Sequence, residues 1–129
     1  MLVALNPVSK PRQSQRDRWL VGDKARPAVK KYRDFADALR IEALNNAFHL
    51  GDKVYLEFHI EMPKSWSKKK KIQNINTPHQ VPKSKDIDNL IKSVLDVLRP
   101  DDDGCIHHCE AKKFWTETGR GRILIENKS

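Results

Sequence analysis

The sequence predicts an α+β fold, a single small domain in which a mixed β-sheet packs in two layers against two main helices. Three segments support this. Val54, Leu56, Phe58, Ile60 and Met62 alternate with Tyr55, Glu57, His59 and Glu61, the period of a half-buried strand. From Pro27 to about Phe48, apolar residues recur at helical spacing, and a second helical run covers Asn89 to Arg99. A length of 129 residues with 38% hydrophobic composition accommodates one core, so residues 1–129 are read as one domain.

In chain order, Met1 to Leu5 is apolar and predicts a short strand. Asn6 to Arg18 is polar, basic and interrupted by Pro7 and Pro11, which predicts a loop offering Lys10, Arg12 and Arg16 to phosphate. In the first helix Val29, Tyr32, Ala36, Leu39 and Ala43 form the apolar row, widened by Ile41, Leu44 and Phe48. Pro27 suits its first position and Gly51 follows its end. Pro63 closes the strand that comes next.

Residues 64–85 show no usable periodicity and are read as a basic loop. They contain Lys64, Lys68, Lys69, Lys70, Lys71, Lys83 and Lys85, with Trp66 among them. A structureless stretch of this length is either a solvated insertion or a functional segment. Its single sign of charge favours an arm along a phosphate backbone, with Trp66 as its anchor or as a partner for a base.

The second helix buries Ile87, Leu90, Ile91, Val94, Leu95 and Leu98 and stops at Pro100. An acidic turn follows at Asp101-Asp102-Asp103-Gly104. Cys105 to Trp115 reads as a strand, Thr118 to Gly121 as a hairpin loop and Arg122 to Glu126 as a closing strand. Trp19 and Trp115 are expected as core or interface anchors.

Lys and Arg number 25 against 17 Asp and Glu, a formal net charge of +8 with a pI near 9.6. Such an excess suits a polyanionic partner, because each neutralised phosphate releases counterions. No apolar run reaches membrane-spanning length, and Met1 to Leu5 is too short for a signal peptide's apolar region. The expectation is a soluble, intracellular (cytoplasmic) protein. Cys105 and Cys109 are read as reduced core thiols. Their spacing with His107 and His108 fits no common zinc pattern, and the acidic turn lacks the spacing of a calcium loop.

The chemistry concentrates in Lys85-Asp86-Ile87-Asp88-Asn89-Leu90-Ile91-Lys92. In an extended segment Asp86 and Asp88 project to one side while Ile87 turns into the core. Asp88 occupies an expected helix N-cap, and Lys92 lies one turn later on its face. The acids of the later turn join this pair only if the next strand runs back beside the helix. Three carboxylates make a hard-oxygen site suited to Mg²⁺ or Mn²⁺. Beside DNA, such an ion activates water for attack on a phosphodiester, and Lys92 is a fixed cation for the charge that develops. The plainer reading is a cap and a surface turn, in a non-catalytic DNA-binding or architectural protein. Lys92, the second acid group and the basic arm together favour the nuclease.

The run from Asp86 to Lys92, followed by an apolar helix and Asp102-Asp103-Gly104, resembles the RusA family of Holliday-junction resolvases. Met62-Pro63-Lys64-Ser65-Trp66-Ser67-Lys68-Lys69-Lys70 is similar to the basic loop of phage-type members, and Asn6 to Pro11 to the family's loop after its first strand. The resemblance is strongest from Val54 to Ile106 and fades towards the C-terminus. It implies metal-binding aspartates at Asp86, Asp88 and Asp103, with Asp102 as the alternative third ligand, and a catalytic lysine at Lys92. It gives Asn89 a supporting role at the helix start. It also implies a homodimer that binds four-way DNA junctions and cuts two strands of like polarity with Mg²⁺ or Mn²⁺, in recombination and repair, in a bacterial cell or a phage or prophage setting. Two cuts need two sites, which a two-fold dimer supplies. A nuclease acting on other branched DNA is the rival within the enzyme class.

Overall fold

The computed structural model describes residues 1–11 and 26–128; Arg12, Arg16 and Trp19 lie outside the described residues. Strand β1 spans Leu2–Val3, helix α1 Pro27–Asn45, β2 Lys53–Glu61, α2 Lys68–Asn74, α3 Ile87–Leu98, β3 His108–Thr116 and β4 Arg122–Asn127. One four-stranded sheet runs in the order β1-β4-β2-β3. It is mixed, as expected: β2 and β3 are parallel, whereas β4 is antiparallel to both β2 and β1.

The alternation in β2 decides the layers. Val54, Leu56, Phe58 and Ile60 are buried, as are Ile123 and Ile125 of the neighbouring β4. Val29, Tyr32, Phe35, Ala36 and Leu39 of α1 and Leu90, Val94 and Val97 of α3 complete the core. The Tyr32 hydroxyl donates to the Ser93 carbonyl at 3.2 Å, which joins the two helices and satisfies a buried polar group.

Several boundaries differ from expectation. Helix α1 stops at Asn45 because Phe48 N–H donates to Ala43 O and Ala47 N–H to Leu44 O, a Schellman closure. Ala47, at φ 49°, takes the left-handed position that glycine usually holds, so the sequence shows no stop there. The segment read as loop contains α2, which Ser67 caps by accepting from Lys70 N–H at 3.2 Å. No residue of α2 is buried, so no apolar period announces it. Residues 101–107 remain outside β3. Cys105 N–H donates to Asp102 O and Ile106 N–H to Asp103 O in a single 3₁₀ turn. Both cysteines are exposed rather than in the core.

Thr118 to Gly121 is not a hairpin loop between paired neighbours. β3 and β4 flank β2 on opposite sides, so this connection crosses the end of the central strand. It packs against the N-terminal segment, where a Cβ on Gly121 would stand 2.5 Å from Asn6 Oδ1. On the other side of the sheet, part of the free edge of β3 is covered. His79 N–H donates to Lys113 O, Trp115 N–H to Thr77 O and Asn76 N–H to Trp115 O.

Candidate active site

Helix α3 begins at Ile87, two residues earlier than its apolar row suggests, and this changes the geometry of the aspartate pair. Asp86 is the N-cap residue, with φ −59° and ψ 137°, and its side chain makes no capping bond. Asp88 is not the cap but lies in the first turn, where the helix N-terminus favours a negative charge. Ile87 is 36% exposed rather than turned into the core. Asp86, Asp88 and Lys92 are all exposed, Asn89 is half-buried, and Leu90 anchors the turn in the core.

Two lysines fix the backbone that leads into this pair. Lys113 donates to the Lys85 carbonyl at 3.0 Å, and the Lys85 ammonium donates to the Pro7 carbonyl. Lys83 and Lys85 both hold left-handed conformations, at φ 60° and 51°, which cost energy in residues with a Cβ. Burial lowers the pKa of Lys85 first; nearby Lys31 adds to the shift and Glu61 opposes it. Strained backbone that neighbours over-determine is a common way to hold a functional group in place. Here it precedes Asp86 directly.

The third acid lies at the other end of the helix. A helix of 12 residues is about 18 Å long, and the Asp101–Asp103 turn follows its C-terminus. β3 does run back beside β2, but it starts opposite Lys53, so the turn stays at the far end. Among the described residues no group of three His, Cys, Asp or Glu side chains could hold a metal ion. In one chain Asp86 and Asp88 both lie at the amino end of α3, and Asp103 lies beyond its other end.

Asp102 and Asp103 are not equivalent. Arg99 grips Asp102 in a two-point pair, Nε to Oδ1 and Nη2 to Oδ2, both at 2.8 Å. Its Nη1 also donates to Leu50 O, Gly51 O and Asp52 Oδ1. Arg99 thus ties the acidic turn to the start of β2, and it holds the Asp102 carboxyl below the ordinary carboxylate range. This pairing is complete at neutral pH and is lost only as pH falls through that lowered pKa. Both Asp102 oxygens are occupied, whereas Asp103 is exposed with none of its carboxylate bonds taken among the described residues. Arg99 was not anticipated from the sequence; a guanidinium three residues before an aspartate at a helix end was the available signal.

Residues 4–126 match the family described as Endodeoxyribonuclease RusA. The chain belongs to the RusA family. No curated protein and no solved structure matches it. It is accordingly an endodeoxyribonuclease of the crossover-junction type, and DNA is its substrate. No helix among the described residues is long and apolar enough to cross a membrane.

The lysines expected to serve this RusA-family nuclease as DNA contacts fall into two groups. Lys64, Lys68, Lys69, Lys70 and Lys83 are exposed and Lys71 is half-buried. Lys70 Nζ sits 4.1 Å from the Trp66 ring centroid. Trp66 in turn packs against Trp115 at 4.8 Å, so it anchors the arm on the domain. Lys10 and Lys85 are engaged within the chain instead. Lys10 pairs with Asp96 of α3, and Lys85 is tied to Pro7. Arg12 and Arg16 lie outside the described residues.

Proposed function

We propose that the protein resolves four-way DNA junctions as a homodimer, with Mg²⁺ or Mn²⁺ at sites built from Asp86, Asp88 and the partner's Asp103. The observation that supports it most is that Asp86 and Asp88 at the amino end of α3 are exposed and without a side-chain partner among the described residues, with Lys92 one turn beyond Asp88. Hard-oxygen donors of this kind suit a small divalent cation, which, once bound, lowers the pKa of a coordinated water. Asp86 and Asp88 hold that charge beside the phosphodiester. Lys92 offers a fixed ammonium to the oxygen that gains charge as the bond breaks. Asn89, half-buried beside Asp88, supports the helix start.

Distance supports the dimer. Within one chain Asp103 lies beyond the end of α3 opposite to the pair, whereas two α3 helices packed across a two-fold axis perpendicular to them run antiparallel. The acidic turn of each then lies beside the amino end of the other. Ile87, Ile91, Leu95 and Leu98 run along α3 beside the fully buried row, with Ile87 exposed and the others half-buried. Beyond them an apolar groove of about 320 Å³ is lined by Leu44, Phe48 and Leu98, with Leu44 79% exposed. Surface of this kind suits burial in a subunit interface.

The direct test compares a four-way junction, a flap and a linear duplex, with and without Mg²⁺. Paired cuts in the junction alone are expected. Equal cutting of the flap would reassign the substrate to branched DNA in general. Asp103→Asn is expected to cost more than about a hundredfold in rate and Asp102→Asn about tenfold, since outer partners typically cost about 10–100-fold. Equal losses in the two would exchange their roles.

The arm gives an independent expectation. Replacing Lys68, Lys69, Lys70 and Lys71 by alanine should weaken junction binding and flatten its salt dependence by about 0.9 log–log units for each phosphate that the arm no longer neutralises. None of the residues of α2 is buried, so the core is spared. An unchanged salt slope would remove the arm from the DNA.

A further inference from the structure

The far ends of the strands and the end of the arm enclose a cleft of about 1010 Å³. The strand ends contribute Glu61, Glu117, Arg120 and Arg122, the N-terminal segment Asn6, and the residues after α2 Asn76. Its position relates it to the aspartate pair. Asn6 precedes Pro7, whose carbonyl receives the ammonium of Lys85, the residue before Asp86. Asn76 follows shortly after the lysine helix, the arm proposed above to meet DNA.

The lining is charged but balanced, Arg120 and Arg122 against Glu61 and Glu117. Such a surface has little net attraction for a phosphate, yet it is dense in both donors and acceptors. Arg122 is half-buried and held in place, its Nη1 donating to Thr116 Oγ1 at 3.0 Å and to Arg120 O at 3.2 Å. Its Nε and Nη2 donors have no partner among the described residues, which leaves one edge of the guanidinium open. Asn76 is fixed by its backbone, with φ 61° and its N–H on Trp115 O at 3.0 Å, and its carboxamide has no partner among the described residues. Mixed donors and acceptors on a held frame match the edges of a nucleobase.

We propose that this cleft takes an unpaired base at the crossover of the junction, guanine most tightly, and so sets the sequence preference of binding. The proposal rests on the junction-binding reading above. The open edge of Arg122 matches the O6 and N7 acceptors of guanine, the commonest specific arginine contact. Glu61 already accepts from Gly121 N–H on Oε1 at 3.3 Å, and Glu117 Oε2 lies 3.7 Å from Arg120 Nε. Their second oxygens would accept from the N1–H and amino group of the same base, whose pairing edge is free only when it is unpaired. A phosphate offers no donor to either glutamate.

Binding without divalent metal tests this apart from cleavage. Four junctions that carry one unpaired nucleotide at the crossover and differ only in its base should separate by at least about fivefold in Kd, with guanine tightest. Arg122→Gln and, separately, Asn76→Gly should compress that spread to less than about twofold with the salt slope of the wild type. Glycine keeps the left-handed backbone of Asn76, so this second variant guards against a folding defect in the first. Equal binding of all four junctions by the wild type, or an undiminished spread in both variants, would overturn the proposal. So would a salt slope reduced by about one in Arg122→Gln, because that marks a phosphate contact. Base-dependent binding without cutting in Mg²⁺ would leave the cleft in place and sink the metal reading; cutting without base dependence would do the reverse.

Discussion

Asp88→Asn is expected to reduce cleavage of a four-way junction by more than about a hundredfold while the protein still binds the junction. The magnitude follows from the role of the group removed. Replacing a group that only orients a metal ligand costs about 10–100-fold, and Asp88 is proposed as a ligand itself. The fold should hardly notice. Asparagine has the same shape, Asp88 is exposed, and an acid in a helix's first turn contributes about 0.3–1 kcal/mol at the surface. Binding in the absence of metal should be equal or slightly tighter, since a negative charge beside the phosphates is removed. Single-turnover cleavage and metal-free binding on one preparation separate the two effects. A rate within tenfold of wild type would show that Asp88 is a helix-end charge and nothing more. Asp86→Asn should behave alike, although Asp86 is the N-cap residue, because its side chain makes no capping bond that the change could remove.

The fold was legible wherever apolar residues follow a period. Val54 to Met62 alternates and forms the central strand, and the rows of α1 and α3 give two helices on one face of a mixed sheet. What escaped the sequence has no apolar signature. Helix α2 buries nothing, and only Ser67 marks it. Helix α1 stops at Asn45 in a Schellman closure whose left-handed residue is Ala47, where the sequence offers no glycine to mark it. The placement of β4 beyond β2 follows from a connection whose tight contact with Asn6 is a long-range fact. At the site, Asp86, Asp88 and Lys92 are exposed, but Asp86 and Asp88 lie on a helix start and not on the extended segment from which their common side was read. Ile87 was misplaced because a polar-apolar-polar run reads equally as a strand or as the first turn of a helix. The choice between Asp102 and Asp103 could not come from a run of three like residues. Arg99 pairs with Asp102 and not with Asp103, and it is itself anchored by bonds to Leu50, Gly51 and Asp52, about fifty positions away in the chain.

Mixing two inactive variants should restore cutting. Asp88→Asn and Asp103→Asn each disable every site in their own homodimers. If each site takes Asp86 and Asp88 from one chain and Asp103 from the other, a mixed dimer gathers both substitutions at one site and leaves its second site intact. Random exchange makes half of the dimers mixed, so about a quarter of all sites recover. The products distinguish this further. A dimer with one working site nicks one strand of the junction, whereas wild type makes paired cuts. Subunits that share no site give no recovery, because every chain then holds a substituted ligand of its own. The expected contrast is large, from background to about a quarter of the wild-type nicking rate. It rests on one dimension of the fold, the length of α3. At 12 residues, about 18 Å of helix, α3 separates the turn from the pair within one chain and has the length that an antiparallel twin would span. Mixed dimers that nick would establish that the third carboxylate crosses the interface. An inert mixture, with subunit exchange verified separately, would place all the required ligands within one chain and call for a rearrangement of the Asp101–Asp103 turn on DNA.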